Sequence, residues 1–223
     1  MVIYMNISGK RVLVTGGAVR IGRALCMAFA EAGAQVIIHC NNSLEQAKEL
    51  LAALPGSGHQ VVQYDLNSPE NLLNNYGQID ILINNASVYR IADASKYMRV
   101  NFHAPVSLMK QFAAQNIESG CIINFLDAKE TTDSYSKSKK AFREATLNLA
   151  LTYAPKIRVN AIAPGPVLPP VALRGPGMQE ILKDVPMGKQ IPLKDITDAC
   201  LFLVQNDSLT GQIIYVDGGL HLV

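Results

Sequence analysis

The sequence predicts a single α/β domain: a doubly wound parallel sheet of about seven strands with helices on both faces. Three observations point there. Apolar, β-rich runs alternate with helix-period segments from one end of the chain to the other. Several runs are almost continuously apolar, as in Ile79-Asp80-Ile81-Leu82-Ile83, which suits strands covered on both faces. The first strand also runs straight into a glycine turn and then a helix.

Taken in order, strand 11–15 leads through Thr15-Gly16-Gly17-Ala18-Val19-Arg20-Ile21-Gly22 into helix 21–32. Strand 35–39 and helix 44–54 follow, then strand 60–65 and helix 69–76. Strand 79–84 precedes helix 95–115, and strand 120–126 precedes helix 134–153. Strand 157–162, helices 179–184 and 196–205, and strand 212–216 complete the series. Each apolar run followed by a helix and another run forms a right-handed crossover between parallel strands. The proline- and glycine-rich stretch 164–177 reads as a loop inside the domain, because a helix and a strand that complete the pattern follow it.

Composition bounds the function. Hydrophobic residues make up 49% of the 223 and charged residues 17%, enough for one substantial core. Net charge is +2 with both signs scattered, which argues against nucleic acid or an anionic membrane as partner. Cys26, Cys40, Cys121 and Cys200 lie far apart and read as reduced thiols, and no His/Cys set has metal-ligand spacing. No basic segment with an apolar core opens the chain, and no apolar run reaches spanning length, so a soluble, cytoplasmic location is expected.

Strand, glycine turn, helix is the setting a pyrophosphate needs: small residues let the backbone approach, and the helix N-terminus offers unpaired N–H groups. Gly16, Ile21 and Gly22 are its candidates, with Arg20 adding charge. The second strand ends in His39-Cys40-Asn41-Asn42-Ser43, with no acid before Glu45. An acid there would bind the ribose hydroxyls of NAD. Donors without a carboxylate suit the 2′-phosphate of NADP, so His39, Asn41, Asn42 and Ser43 are candidate contacts and NADPH is preferred over NAD. Ser43 also suits a helix cap.

Tyr135 and Lys139 are one helical turn apart and share a face. A phenol is a poor proton source at neutral pH, since its pKa is about 10. An ammonium beside it is expected to lower that value and bring the proton within reach.

Together with Asp65-Leu66, Asn84-Asn85-Ala86-Ser87, Val100-Asn101, the run 158–165 and Val216-Asp217-Gly218-Gly219, these features make the chain resemble the short-chain dehydrogenase/reductase family over essentially its full length. The resemblance implies a Rossmann-type sheet in the order 3-2-1-4-5-6-7. It implies that Asp65 and Leu66 line the adenine and that Asn85, Ala86 and Ser87 flank its ribose. Lys139 would hold the nicotinamide ribose, Tyr135 would donate the proton, and Asn101 would fix a relay water. Pro164, Gly165 and Val167 would meet the carboxamide.

Three departures narrow it. Arg20 replaces the middle glycine, Asp127 stands where most relatives carry a catalytic serine, and Ser87 follows Ala86 in place of glycine. The set is similar to the pteridine reductases and bacterial dihydromonapterin/dihydrofolate reductases. That likeness makes Asp127 a fourth catalytic residue and Arg20, Tyr89 and Asp127 substrate contacts, Tyr89 by stacking on a flat heteroaromatic ring. Bland alternatives stand beside each: a strand-end turn for Asp127, a loop aromatic for Tyr89, phosphate pairing alone for Arg20. Only eight positions separate Asp127 from Tyr135, fewer than in most relatives, which leaves their mutual facing open. Pro169 takes the place of a threonine that touches the pyrophosphate in relatives, so that contact is expected to be lost.

The expected activity is NADPH-dependent reduction of a pterin or dihydrofolate-like C=N bond. The alternatives are a carbonyl reductase of the same family and, further off, a non-catalytic NADP sensor. Apolar Phe102, Val106, Phe142 and Leu149 on the two long helices suggest a dimer or tetramer, a homotetramer being the expectation.

Overall fold

The computed structural model describes residues 5–70, 72–73, 76–89, 93–129, 131–169 and 177–223. Seven parallel strands form one sheet in the order β3-β2-β1-β4-β5-β6-β7, as the resemblance implies. They are β1 (Arg11–Val14), β2 (Gln35–Cys40), β3 (Gln60–Gln63), β4 (Ile81–Asn84), β5 (Gly120–Phe125), β6 (Ile157–Pro164) and β7 (Ile213–Val216).

Period-two alternation divides each central strand between two cores. Val12, Val14, Ile81 and Ile83 point to one side, where α1 (Arg20–Glu31), α2 (Leu44–Ala53) and α7 (Leu193–Gln205) supply Leu25, Phe29, Leu50, Ile196 and Leu203. Leu13 and Leu82 point to the other. There α4 (Ala104–Ala113) and α5 (Ser134–Tyr153) contribute Leu108, Phe112 and Phe142. Both faces are covered, so the strands can be apolar without interruption.

The segment expected as helix 69–76 takes another form. Residues 71, 74 and 75 lie outside the described set; the described ones form turns. The Gln111 side chain holds them, donating to the Pro69 carbonyl at 2.8 Å and accepting from the Leu73 N–H at 3.1 Å. A side chain from α4 thus satisfies backbone groups that a helix would have paired itself.

The helix expected over 95–115 ends at Ala113 and is interrupted. After α3 (Ser95–Met98) comes a π-helical turn, Arg99–His103, in which the Ala104 N–H reaches back five residues to the Arg99 carbonyl. Pro105 explains the slip. It has no N–H to give the Asn101 carbonyl, so a regular ladder cannot pass this point.

The apolar residues offered as surplus for subunit pairing are mostly occupied internally. Phe142 is in the core, and Phe102, Val106 and Leu149 pack half-buried against it. Leu147 and Leu151 are the exposed apolar residues of α5. No described helix is long and apolar enough to cross a membrane.

A polar ladder crosses the sheet beneath the site. Asn84 Nδ2 donates to Asn124 Oδ1, and Asn124 Nδ2 donates to Thr146 Oγ1, each at 2.9 Å and buried. Asn124→Leu would strip the Asn84 amide of its acceptor. It is expected to destabilise the protein by about 2–3 kcal/mol, read as a lower urea midpoint with an unchanged m-value.

Candidate active site

The sheet order reverses between β1 and β4, so the loops that follow these strands part and open a crevice at their C-terminal ends. Thr15, at the end of β1, holds its floor. Its hydroxyl accepts from the N–H groups of Asn85 and Ala86 at 2.9 and 3.0 Å and donates to the Ile83 carbonyl at 3.3 Å. A cleft of about 850 Å³ runs from this floor along the strand ends, within the size range of cofactor and ligand sites.

The glycine turn forms one end. Gly16 sits at φ +63°, and a Cβ on Gly22 would fall 2.0 Å from the Gly16 carbonyl oxygen. Only glycine lets the turn fold this closely onto the helix start. Val19, at the N-cap of α1, makes no side-chain cap, so the first-turn N–H groups remain for an anion at the cleft wall. Gly16, Ile21 and Gly22 all line it. The geometry fits a pyrophosphate.

His39 departs from the expected role. It borders the cleft, but Nδ1 accepts from the Gly16 N–H at 3.1 Å and Nε2 bonds the Tyr64 carbonyl at 3.1 Å. The second bond requires Nε2–H, so the ring is neutral. Burial pushes its pKa down to about 4. His39 braces the glycine turn and offers no free nitrogen to a phosphate. Asn41, Asn42 and Ser43 remain at the end of β2, lining the cleft. Ser43 is the N-cap residue of α2 without a side-chain cap bond.

Asn85 is likewise committed, its amide donating to the carbonyls of Thr15 and Gly16 at 2.9 and 3.2 Å. Asp65 lines the cleft with Leu66, its carboxylate tied to the Asn67 backbone and side chain. Pro164, Gly165 and Val167 form the opposite wall. A Cβ on Gly165 would meet the Asp217 Cα at 2.7 Å.

Arg20 is, among the described residues, the one non-glycine residue with positive φ, at +55°. That conformation costs on the order of 1 kcal/mol, and it fits the position that relatives give to glycine. Its guanidinium crosses to the carbonyls of Pro169 and Leu168 at 3.0 and 3.4 Å. The loop beyond, including Pro170, Gly175 and Pro176, lies outside the described residues.

At the other end stand Tyr135 and Asp127. Asp133 caps α5 by accepting from the Ser136 N–H at 2.8 Å, which sets Tyr135 in the first turn. The Tyr135 hydroxyl donates to Asp127 Oδ2 at 2.9 Å. The short connection therefore brings the two residues face to face. Burial pushes the Asp127 carboxyl up. Tyr135 is pushed up as well, first by burial and then by the Asp127 charge, with a Ser87 hydrogen bond acting the other way.

This reverses one expectation. Lys139 does not lower the phenol; its Nζ donates to the Phe125 carbonyl at 3.0 Å and sits 5.9 Å from the Tyr135 ring centroid. Burial lowers Lys139 to about 8, opposed by the Asp127 charge. The carboxylate, bonded directly to the hydroxyl, dominates over the more distant ammonium.

Asn101, on the π-turn, clamps Val88: Oδ1 accepts its N–H at 2.8 Å and Nδ2 donates to its carbonyl at 3.0 Å. Tyr89 follows at the cleft mouth, 56% exposed, its ring 4.8 Å from that of Tyr135 and inclined at 64°. Three placements had no signal in the pattern of residues, although a helix over 179–184 was expected. Tyr97 sets its ring edge 5.8 Å from Tyr135. Lys129 and Asp184 pair at 2.8 Å across the mouth. Helix α6 (Met178–Leu182) turns Met178, Glu180 and Ile181 toward the cleft. Pro105 could have announced the π-turn. No group of three or more His, Cys, Asp or Glu residues is placed to hold a metal among the described residues.

A family pattern described as Enoyl-(Acyl carrier protein) reductase matches residues 16–221. The chain belongs to the short-chain dehydrogenase/reductase family. It is an oxidoreductase of that family, similar to glucose 1-dehydrogenase of Gluconobacter oxydans, with 31% identity over 96% of this chain and 93% of the relative. Two solved structures overlay 98% of the chain with TM-scores of 0.89. They are FolM alternative dihydrofolate reductase 1 from Brucella canis (33% identical, 96% of that chain) and from Brucella suis (34%, 97%), each complexed with NADP. In the short-chain dehydrogenase/reductase fold seen here, the glycine turn and the Tyr135/Asp127 pair share one cleft.

His39 makes this cleft sensitive to acid. Its pKa is depressed from 6.5 to about 4 in the folded protein, so its contribution is complete above pH 6.5 and is lost as pH falls toward 4. The full effect is on the order of 3 kcal/mol. His39→Gln is expected to flatten the pH dependence of the urea midpoint in that window.

Proposed function

We propose that the chain is an NADPH-dependent reductase of a pterin or dihydrofolate-like C=N bond. The observation that carries this reading is the 2.9 Å hydrogen bond between Tyr135 and Asp127, a carboxyl held high by burial. Reduction of C=N needs a proton on nitrogen, and a phenol backed by a carboxyl can give one and be refilled. Bound NADPH supplies the hydride to the ring carbon. Tyr135 gives its proton to the neighbouring nitrogen, and Asp127 returns a proton to the phenolate. The other Asp127 oxygen, Oδ1, is held by the Lys129 N–H at 3.1 Å, which fixes the carboxyl plane. Lys139, bonded at the end of β5, holds the ribose in this reading. Asn101 fixes a relay water in this reading.

Tyr89 supplies an exposed aromatic face for a flat ring. Asn41, Asn42 and Ser43, with no carboxylate at the end of β2, support NADPH over NADH, as does the NADP named for both Brucella proteins. Arg20 contacts phosphate and substrate in this reading by exchanging its two loop carbonyls for them. Assembly into a homotetramer goes with it, and light scattering of the purified protein tests that directly.

The alternative is reduction of a carbonyl by the same Tyr135, favoured by the likeness to glucose 1-dehydrogenase. A protein that only senses NADP would have no use for the buried acid pair. The deciding measurement is NADPH oxidation with dihydrobiopterin, dihydromonapterin, dihydrofolate and an acetoacetyl thioester side by side. A pterin or folate is expected to win; faster turnover of the thioester would overturn the reading. Asp127→Ser is expected to lower pterin turnover about 100-fold while sparing carbonyl reduction. Tyr135→Phe is expected to abolish both and to leave NADPH binding intact by fluorescence titration.

A further inference from the structure

Asp127 also lines a second, small cavity. It holds about 10 Å³ open to the centre of a water molecule, room for one. Asp127, Ser136, Lys139, Arg143 and Tyr215 line it. A water there has several polar partners, which is the condition for a stable buried site.

The wall at Tyr215 is built with care. Arg143 Nη2 donates to the Tyr215 hydroxyl. A guanidinium has no acceptor, so the phenol oxygen must accept, and its own proton is left to donate elsewhere. The positive charge behind it strengthens that donor. The Tyr215 ring is fixed in turn, stacked on His221 at 4.0 Å and 21°. His221 is anchored by Asp217 Oδ2, which accepts its N–H at 2.8 Å and bonds Nδ1 at 2.7 Å. Gly218 and Gly219, at φ +66° and +90°, turn the chain so that His221 can fold back onto the ring. The Val216-Asp217-Gly218-Gly219-Leu220-His221 segment thereby fixes Tyr215 at the wall of a cavity that Asp127 also lines.

We propose that Arg143 and Tyr215 form a proton path, in which one water in this cavity passes protons from solvent to Asp127 between turnovers. The proposal rests on the reading of Tyr135 and Asp127 as the reductase's proton donors. Protons balance along the path. The Tyr135 O–H bond breaks as the substrate N–H bond forms; the Asp127 carboxylate takes a proton from the water and hands it to the phenolate. The water is refilled by the Tyr215 hydroxyl, and that hydroxyl by solvent, since Tyr215 and Arg143 are both partly exposed. One proton is drawn from bulk water for each hydride transferred. Arg143 and Tyr215 are positioning and relay residues; neither touches substrate.

Tyr215→Phe tests it, because the ring and its stack on His221 are kept and only the hydroxyl goes. Dihydrobiopterin serves as substrate, or the acetoacetyl thioester should the panel above select a carbonyl. The first turnover uses the proton already on Tyr135, so the single-turnover rate of NADPH oxidation and the KM for NADPH are expected to hold. Steady-state kcat is expected to fall on the order of tenfold, less than the roughly 100-fold that a positioned acid itself contributes. Added imidazole, a small proton carrier, is expected to restore it. Arg143→Met should give the same split with Tyr215 in place. An unchanged kcat in both variants overturns the path. So does a parallel loss of single-turnover rate and kcat that imidazole does not restore, which is what a merely structural role would produce. Native turnover in Asp127→Asn would remove Asp127 from proton transfer and overturn this path together with the reading it rests on. A drop in Asp127→Asn with no effect in Tyr215→Phe or Arg143→Met overturns the path alone.

Discussion

The strand-order reversal between β1 and β4 is the constraint on which the rest of this structure depends. Parallel strands end on one side of the sheet, and here the chain leaves β1 and β4 toward opposite faces. A crevice is unavoidable, and the backbone groups at its floor need partners. Thr15 and Asn85 supply them across the gap, and His39 does the same from β2. Three polar side chains that read as ligand contacts or as ordinary turn residues thus hold the walls in place. What remains open to a ligand is mostly backbone: the glycine turn, the first turn of α1 and the strand ends.

At the opposite end of the cleft the electrostatics are governed by burial. Two acids and an ammonium are brought together with little water, and each is shifted toward its neutral form. Such a cluster is poor at holding charge, and perturbed groups of this kind gather where protons are exchanged. A serine in place of Asp127 could hold a carbonyl oxygen, but it could not store a proton.

Local irregularities appear where the site needs them. The π-turn at Arg99–His103 sets Asn101 against Val88 and so orients the loop that carries Tyr89. The left-handed backbone at Arg20 lets a long cation leave a position built for glycine and span the cleft. Both carry a cost in regularity or strain, and both sit at the cleft and nowhere in the sheet. Strain kept at a binding site is held there by its surroundings.

The architecture was legible in the chain because it rests on periodicity. Continuous apolar strands alternating with amphipathic helices admit few arrangements, and the crossover rule removes most of those. The residues of the site were legible as types at the ends of strands, and Tyr135 with Lys139 as neighbours on one helical face. Roles that depend on distances between separate elements were not. Whether Asp127 met Tyr135 turned on the path of a short loop. Whether His39 was a ligand turned on Gly16 and Tyr64, which belong to other strands' ends. Gln111 replaced a helix by holding backbone groups some forty positions away. Local pattern sets which way a side chain faces its own element. Only the folded chain decides what lies opposite, and hydrogen bonds and pKa values depend on that opposite partner.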